Sequence, residues 1–115
     1  MTGAAQQFME RFFGGFVAVV ERTLTLTTTT QEVLKNNPER LGFLIVVTGA
    51  TTAQFAFGPA PTAAASILIG GSGGSFRANV GEDFTMVTMA MNGNVAAGTT
   101  TLLIIEIVRT SAPTE

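Results

Sequence analysis

The segment Thr100–Arg109 has the sequence TTLLIIEIVR, and its run of apolar residues is nearly unbroken. Successive side chains of a β-strand point to opposite faces, so the segment divides into two mostly apolar sets: Leu102, Ile104, Glu106 and Val108 on one face, and Leu103, Ile105, Ile107 and Arg109 on the other. An antiparallel strand in a free monomer usually has one face in water. The pattern therefore predicts a strand whose second face is covered, either by an element such as the N-terminal segment or by another subunit.

The segment Gly42–Gly49 carries the same signal, because Phe43–Val47 is a continuous apolar run that suits a central strand. Further strands are predicted where apolar residues alternate or form short runs: Arg22–Thr27, Ala53–Phe57, Ser66–Ile69, Ser75–Val80 and Phe84–Met91. Turn signals separate these segments at intervals of about 8–12 residues. We therefore predict a mainly β fold over residues 20–110, an antiparallel β-sandwich of jelly-roll-like type with about seven to eight strands. Two finer predictions are a helical turn at residues 31–35 and a hairpin turn at Asn-Gly-Asn, residues 92–94.

The first residues of the chain show a helical period instead of a strand period. Apolar residues recur there at spacings of four, with glutamine, glutamate and arginine between them. This predicts an N-terminal amphipathic helix over residues 1–19, weakened by Gly14 and Gly15. The apolar load is large for a helix beside a small sandwich, so we predict an arm that docks on a neighbouring chain rather than on its own domain. Its interface residues would be Phe8, Met9, Phe12, Phe13 and Phe16.

The composition argues against most catalytic and nucleic-acid-binding functions. The chain has no Cys, His, Trp or Tyr, 12% charged residues and a net charge of −2. Enzyme active sites usually draw on His, Cys, Tyr, Lys or clustered carboxylates, and binding to nucleic acid requires clustered basic residues. We therefore expect no enzyme activity, no cofactor, no metal site and no nucleic-acid partner. A surface so poor in charge is unusual for a free monomer, and it favours a building block that partners cover.

Two local motifs have residue types found in ligand sites, but their sequence context favours a structural role. The glycine cluster Gly70–Gly74 lacks the Gly-Lys-Ser/Thr ending and the following helix of a phosphate loop, so a flexible loop or hairpin turn is predicted. Glu82 and Asp83 are too few oxygen ligands for calcium and are expected at a solvated turn.

Glu106 is the more informative acidic residue, because it interrupts an apolar strand and a buried carboxylate is costly unless it is paired. The candidate partners are Arg40, Arg77 and Arg22, or a residue of another subunit. The pairing is expected to be structural, so that Glu106→Ala would weaken folding or assembly.

The middle of the chain resembles small virion proteins of tailed bacteriophages. The residues that carry the resemblance are Leu34–Gly49 (LKNNPERLGFLIVVTG), the turn Ile67–Gly71 and the strand that ends at Ile105–Val108. It covers roughly residues 31–109. The family often has Asn where this chain has Thr48, and late Trp or Tyr residues where this chain has Met. The resemblance implies a small β-sandwich used in virion assembly, as a capsid decoration (cement) protein or a part of the neck or tail. Arg40 is expected to be a structural pairing residue, with Glu106 as its partner.

Three functional classes follow from these observations. The first is a structural virion protein, made in the cytoplasm of the host bacterium, whose partners are copies of itself and a major capsid protein. The alternative is a small β-barrel that binds an apolar ligand, with a pocket lined by aromatic and methionine residues: Phe55, Phe57, Phe76, Phe84 and Met86. A membrane role is not expected, because the apolar run Phe12–Val20 is much shorter than the ~20 residues that span a bilayer.

Overall fold

The computed structural model describes residues 16–57 and 66–110. These residues form eight strands: β1 (Phe16–Leu26), β2 (Gln31–Leu34), β3 (Arg40–Val47), β4 (Ala53–Ala56), β5 (Ile67–Ile69), β6 (Ser75–Asn79), β7 (Met91–Asn94) and β8 (Thr100–Thr110). A single helical turn, α1 (Val80–Asp83), and a 3-10 helix (Phe84–Thr88) connect β6 to β7.

The strands form two four-stranded antiparallel sheets. Sheet A has the order β1-β8-β3-β6, and sheet B has the order β2-β7-β4-β5. Eight strands that alternate between two sheets in this way form a jelly roll. The predicted mainly β fold, with two antiparallel sheets and eight strands, is therefore confirmed. The two segments that are apolar on both faces, β3 and β8, occupy the two central positions of sheet A.

The core lies between the two sheets. Its fully buried members come from both layers, and they include Leu26, Ile45, Val47, Leu102 and Ile104 from sheet A and Val33, Leu34, Phe55 and Met91 from sheet B. The 3-10 helix contributes Val87, which has no exposed surface. Because the inner faces are saturated with aliphatic side chains, the apolar residues on the outer face of sheet A are not needed for this core.

Three local predictions were wrong. Residues 31–34 form strand β2 rather than a helical turn, since Val33 and Leu34 are buried against β7 and the core. The predicted strand Phe84–Met91 is a 3-10 helix up to Thr88, and β7 begins only at Met91. Residues 92–94 are not a hairpin turn but part of β7.

Gly93 explains why an Asn-Gly-Asn sequence lies within a strand. A Cβ atom at this position would lie 2.8 Å from Val33 Cγ2 and 3.2 Å from Phe55 Cδ1. The glycine therefore provides close packing in the centre of sheet B rather than a turn.

The start of the sandwich is earlier than predicted. β1 begins at Phe16, which pairs in register with Thr110, so residues 16–19 belong to a strand instead of a helix. The rest of the predicted arm, with Phe8, Met9, Phe12 and Phe13, lies outside the described residues, as does the tail at 111–115. No helix within residues 16–57 and 66–110 is long and apolar enough to cross a membrane.

Candidate functional site

The outer face of sheet A carries a continuous aliphatic surface. Six side chains on three adjacent strands form this surface, here called the outer face: Val19, Leu44, Val46, Leu103, Ile105 and Ile107. Strand register places them side by side, since Ile107 pairs with Val19, Ile105 with Leu44, and Leu103 with Val46. The alternate residues of β8 point the other way, into the core. Val19 is 67% exposed, and the other five are half-buried.

Polar and charged side chains surround this surface. The exposed residues at its margins are Glu21 and Thr23 on β1, Ser75 and Arg77 on β6, and Arg109 on β8. An exposed apolar patch with a polar rim is typical of a protein–protein contact. The sequence predicted such a face from the two-sided apolar pattern of β3 and β8, but it did not indicate Val19, which lies in the segment expected to be helical.

The structure brings Arg40 and Glu106 together at the inner side of sheet A. Arg40 Nε donates a hydrogen bond to Glu106 Oε1 at 2.7 Å, and the Arg40 side chain is only 1% exposed. Glu106 is 13% exposed. Arg22, another of the partners considered from the sequence, has its Nε atom 3.9 Å from Glu106 Oε2. Arg77 is exposed and lies opposite Leu44, on the other side of the sheet.

The remaining donors of the Arg40 guanidinium bind backbone carbonyls from separate parts of the chain. Nη1 donates to Val87 O at 3.2 Å and to Met89 O at 3.3 Å, and Nη2 donates to Lys35 O at 2.5 Å. A single side chain therefore ties β3 to β8, to the end of β2 and to the 3-10 helix. Such a set of contacts positions elements relative to each other, and it leaves few donors for a ligand.

A polar cleft of about 520 Å³ opens beside this pair. Charged and amide side chains line it, among them Arg22, Glu32 and Lys35. Glu106 is engaged by two arginines, so its charge is already balanced within the protein. Within the two described ranges, no three His, Cys, Asp or Glu side chains could together hold a metal ion.

A second ion pair joins the end of β8 to the loop before β3. Arg109 Nε donates to Glu39 Oε2 at 2.6 Å, and the Arg109 backbone N–H donates to Glu39 O at 2.7 Å. The hydrogen bond from Arg109 lowers the pKa of the exposed Glu39 carboxyl. No sequence pattern indicates this pair, because exposed charges of opposite sign occur in several loops.

Two aromatic residues of the alternative ligand pocket, Phe57 and Phe76, pack against each other. Phe55 is fully buried in the core, and the rings of Phe57 and Phe76 meet edge to face with centroids 6.3 Å apart. Phe76 also contacts Phe43 at 5.7 Å. Met86 is partly buried against the core, and Phe84 belongs to the 3-10 helix. Among the described residues, no observation specifically favours a ligand pocket at these side chains.

Comparison with known proteins finds structures with a similar fold, but it does not identify a family. No family model and no curated protein matches the sequence. Among solved structures, the chain is similar to a protein of the Bacillus endospore appendages, which form a family of disulfide-linked pili, with 17% identity over 83% of this chain and 88% of that chain and a TM-score of 0.48. It is also similar to a de novo designed double-stranded β-helix, with 13% identity, coverage of 76% and 97%, and a TM-score of 0.45.

A third similar structure is the coat protein of Tobacco streak virus. The identity is 12%, the alignment covers 86% of this chain and 90% of the coat protein, and the TM-score is 0.51. At this identity the likeness concerns the fold alone. The chain is thus a two-sheeted, antiparallel β protein whose fold is similar to that of a plant-virus coat protein.

Proposed function

We propose that this protein is a non-enzymatic structural subunit of a bacteriophage virion, a capsid decoration (cement) protein or an accessory head, neck or tail subunit. It acts through contacts with copies of itself and with other virion proteins such as a major capsid protein. The observation that carries the proposal is the outer face of sheet A. The resemblance of residues 31–109 to tailed-phage virion proteins supports the virion assignment, and the jelly-roll fold is compatible with it because capsid proteins often have this fold.

The energetics of the outer face favour burial against a protein partner. Full burial of an aliphatic side chain contributes about 1.5–3 kcal/mol. Five of the six residues are already partly shielded by their sheet neighbours, so about 1 kcal/mol each, or about 6 kcal/mol together, is a suitable figure. Association itself costs about 4–15 kcal/mol. The outer face is therefore sufficient for a weak contact, and a stable assembly requires additional buried surface.

The N-terminal arm is the proposed source of this additional surface. It joins the chain at Phe16, the first residue of β1, which is the edge strand of sheet A that carries Val19. Its apolar residues Phe8, Met9, Phe12 and Phe13 would cover the outer face of a neighbouring subunit. In the same proposal the Arg40–Glu106 pair is structural: it holds sheet A in the shape that presents the outer face.

Light scattering coupled to size exclusion tests the proposal on four proteins: wild type, a variant that lacks residues 1–15, Ile105→Lys and Thr23→Lys. Ile105 lies in the middle of the outer face, whereas Thr23 adds the same charge at its polar rim. Lysine can extend its ammonium group into water from a half-buried site, so both substitutions are expected to preserve the fold, which circular dichroism verifies.

We expect oligomers for wild type and Thr23→Lys, and smaller species for Ile105→Lys and for the truncated chain. A wild-type protein that is monomeric at every accessible concentration would refute the assembly proposal. Immunolabelling of purified particles from the source culture tests the virion assignment separately, and particles without label would reject it.

A further inference from the structure

Among the residues that the structure describes, none at the end of the sandwich opposite Phe16 and Thr110 is charged. Four loops meet there, at residues 27–30, 48–52, 70–74 and 95–99, and none of them contains Asp, Glu, Lys or Arg. We call these loops the neutral end. Its exposed residues are all small and uncharged: Thr28, Thr29, Thr48, Ala50, Thr52, Gly70, Ser72, Gly73, Ala96, Ala97, Gly98 and Thr99. The exposed charged residues of the described chain lie elsewhere: Glu21, Glu32, Lys35, Glu39, Arg77 and Arg109.

Hydrogen bonds between the loops make the neutral end a connected surface. The Val95 N–H donates to Thr27 O at 3.0 Å, which joins two of the loops. The Ser72 N–H donates to Gly49 O at 2.6 Å, which joins the other two. Gly49 also joins its loop to the start of β8, which directly follows residues 95–99, because its N–H donates to Thr101 O at 3.2 Å.

The glycine cluster at residues 70–74 is closely packed instead of loose. A Cβ atom at Gly71 would overlap the carbonyl group of Ala50, and one at Gly74 would overlap the carbonyl oxygen of Gly70. Glycine is required at these two positions so that the backbone can approach another loop or fold tightly on itself. The predicted loop is therefore a turn in which close packing requires glycine at two positions.

A surface of this kind is inexpensive to bury. Small side chains lose little rotamer entropy on burial, and an already connected backbone loses little freedom. Solvent-facing surfaces of small domains usually carry about 25–35% charged residues, whereas the central part of protein interfaces is depleted of charge. The neutral end thus has the composition of an interface centre.

The chemistry of the neutral end selects its partner. A hydroxyl group both donates and accepts hydrogen bonds, so a surface of threonine and serine hydroxyls can pair with a copy of itself. Two such surfaces meet without repulsion between like charges, whereas a charged partner surface would bury ionised groups without counter-ions. A contact that joins identical patches is the type found at a two-fold axis.

We propose that the neutral end binds the neutral end of a second copy of this chain. This inference rests on the proposed role in assembly and adds a second contact to it, distinct from the outer face. The subunit then has two assembly surfaces, one on the side of sheet A and one at the end farthest from Phe16.

The test uses charge complementation at Ala97, an exposed residue of the neutral end. Three variants are compared with wild type by sedimentation velocity over a concentration series in low salt: Ala97→Glu, Ala97→Lys and, as a matched control at the opposite end, Asn36→Glu. Because like charges would face each other, each Ala97 variant alone is expected to self-associate at least about ten-fold more weakly than wild type. An equimolar mixture of the two is expected to recover the association, and Asn36→Glu is expected to behave as wild type.

The outcomes separate this inference from the proposed function. If Ala97→Glu associates as wild type does, or if the mixture of Glu and Lys variants fails to recover, the pairing of neutral ends is wrong, even when Ile105→Lys still disrupts the oligomer. If the Ala97 variants associate more weakly and complement each other while Ile105→Lys and the truncated chain associate normally, the contact between neutral ends is supported. The proposed contact through the outer face is then refuted. A monomeric wild type overturns both.

Discussion

Replacing Glu106 with alanine removes the carboxylate that faces the buried Arg40 guanidinium. In wild type the Arg40 side chain is only 1% exposed, so bulk water does not solvate its positive charge. After the substitution it keeps its hydrogen bonds to the carbonyls of Lys35, Val87 and Met89, but it has lost its closest negative charge. The variant therefore measures what the carboxylate contributes beyond the carbonyl dipoles.

The expected cost follows from burial and geometry. Removal of one member of a buried ion pair typically costs about 3–5 kcal/mol, because the other charge stays buried. Glu106 is 13% exposed and three carbonyl acceptors remain, so we expect the low end of that range, about 3 kcal/mol. For a domain of this size, about 3 kcal/mol corresponds to a fall in Tm of at least about 12 °C.

Two further variants separate charge from other effects. Glu106→Gln keeps an oxygen that can accept the bond from Arg40 Nε but removes the negative charge. We expect it to lose about 1–1.5 kcal/mol, less than Glu106→Ala, because the ionised guanidinium keeps a neutral acceptor at this position. Glu32→Ala removes an exposed carboxylate from the same cleft. Its stability should lie within about 0.5 kcal/mol of wild type.

Urea unfolding is best followed by far-UV circular dichroism, because the chain has no Trp or Tyr to report by fluorescence. All variants are measured at one protein concentration, since association stabilises the folded state by mass action. An unfolding free energy for Glu106→Ala within about 0.5 kcal/mol of wild type would refute the reasoning, because the buried guanidinium would then need no carboxylate.

Two further predictions concern the loops. Gly71→Ala should lower the unfolding free energy by about 1–3 kcal/mol, since its Cβ would overlap the Ala50 carbonyl; Gly70→Ala, whose Cβ meets nothing within 4 Å, should be neutral or slightly stabilising, and equal urea midpoints for the two would contradict the packing described. The lowered pKa of Glu39 means that its pairing with Arg109 stabilises the fold above the ordinary glutamate pKa of about 4.3 and loses this effect as the pH falls through the lowered value. The Tm of Glu39→Gln should thus be slightly below that of wild type at neutral pH and converge with it in acid or in high salt; a difference that persists in acid would show another origin.

The sequence was informative where one physical requirement dominated. Unbroken apolar runs predicted that β3 and β8 are central strands with apolar residues on both faces, and they occupy the centre of sheet A. Glu106 required a partner because it lies in such a run, although the sequence alone could not choose among Arg22, Arg40 and Arg77. That choice depends on the pairing of β3 with β8, which is a tertiary property.

The errors arose where local chemistry and tertiary packing disagree. Asn-Gly-Asn favours a turn locally, but Gly93 is placed in a strand by the side chains of Val33 and Phe55 above it. Residues 84–88 alternate as a strand would, and yet they form a 3-10 helix that delivers Val87 to the core. The neutral end escaped notice because its four loops are far apart in the sequence and come together only in the fold.

The pairing of β1 with β8 has a consequence for the order of events during synthesis. Leu26 pairs with Thr100 and Phe16 with Thr110, so every partner of β1 leaves the ribosome long after β1 itself. β8 also separates β1 from β3, which keeps sheet A without its centre until then. Contacts between such distant segments slow folding. Apolar strands that remain exposed until β8 has been synthesised are prone to aggregation. A nascent chain of this protein should therefore depend on chaperones more than its small size suggests.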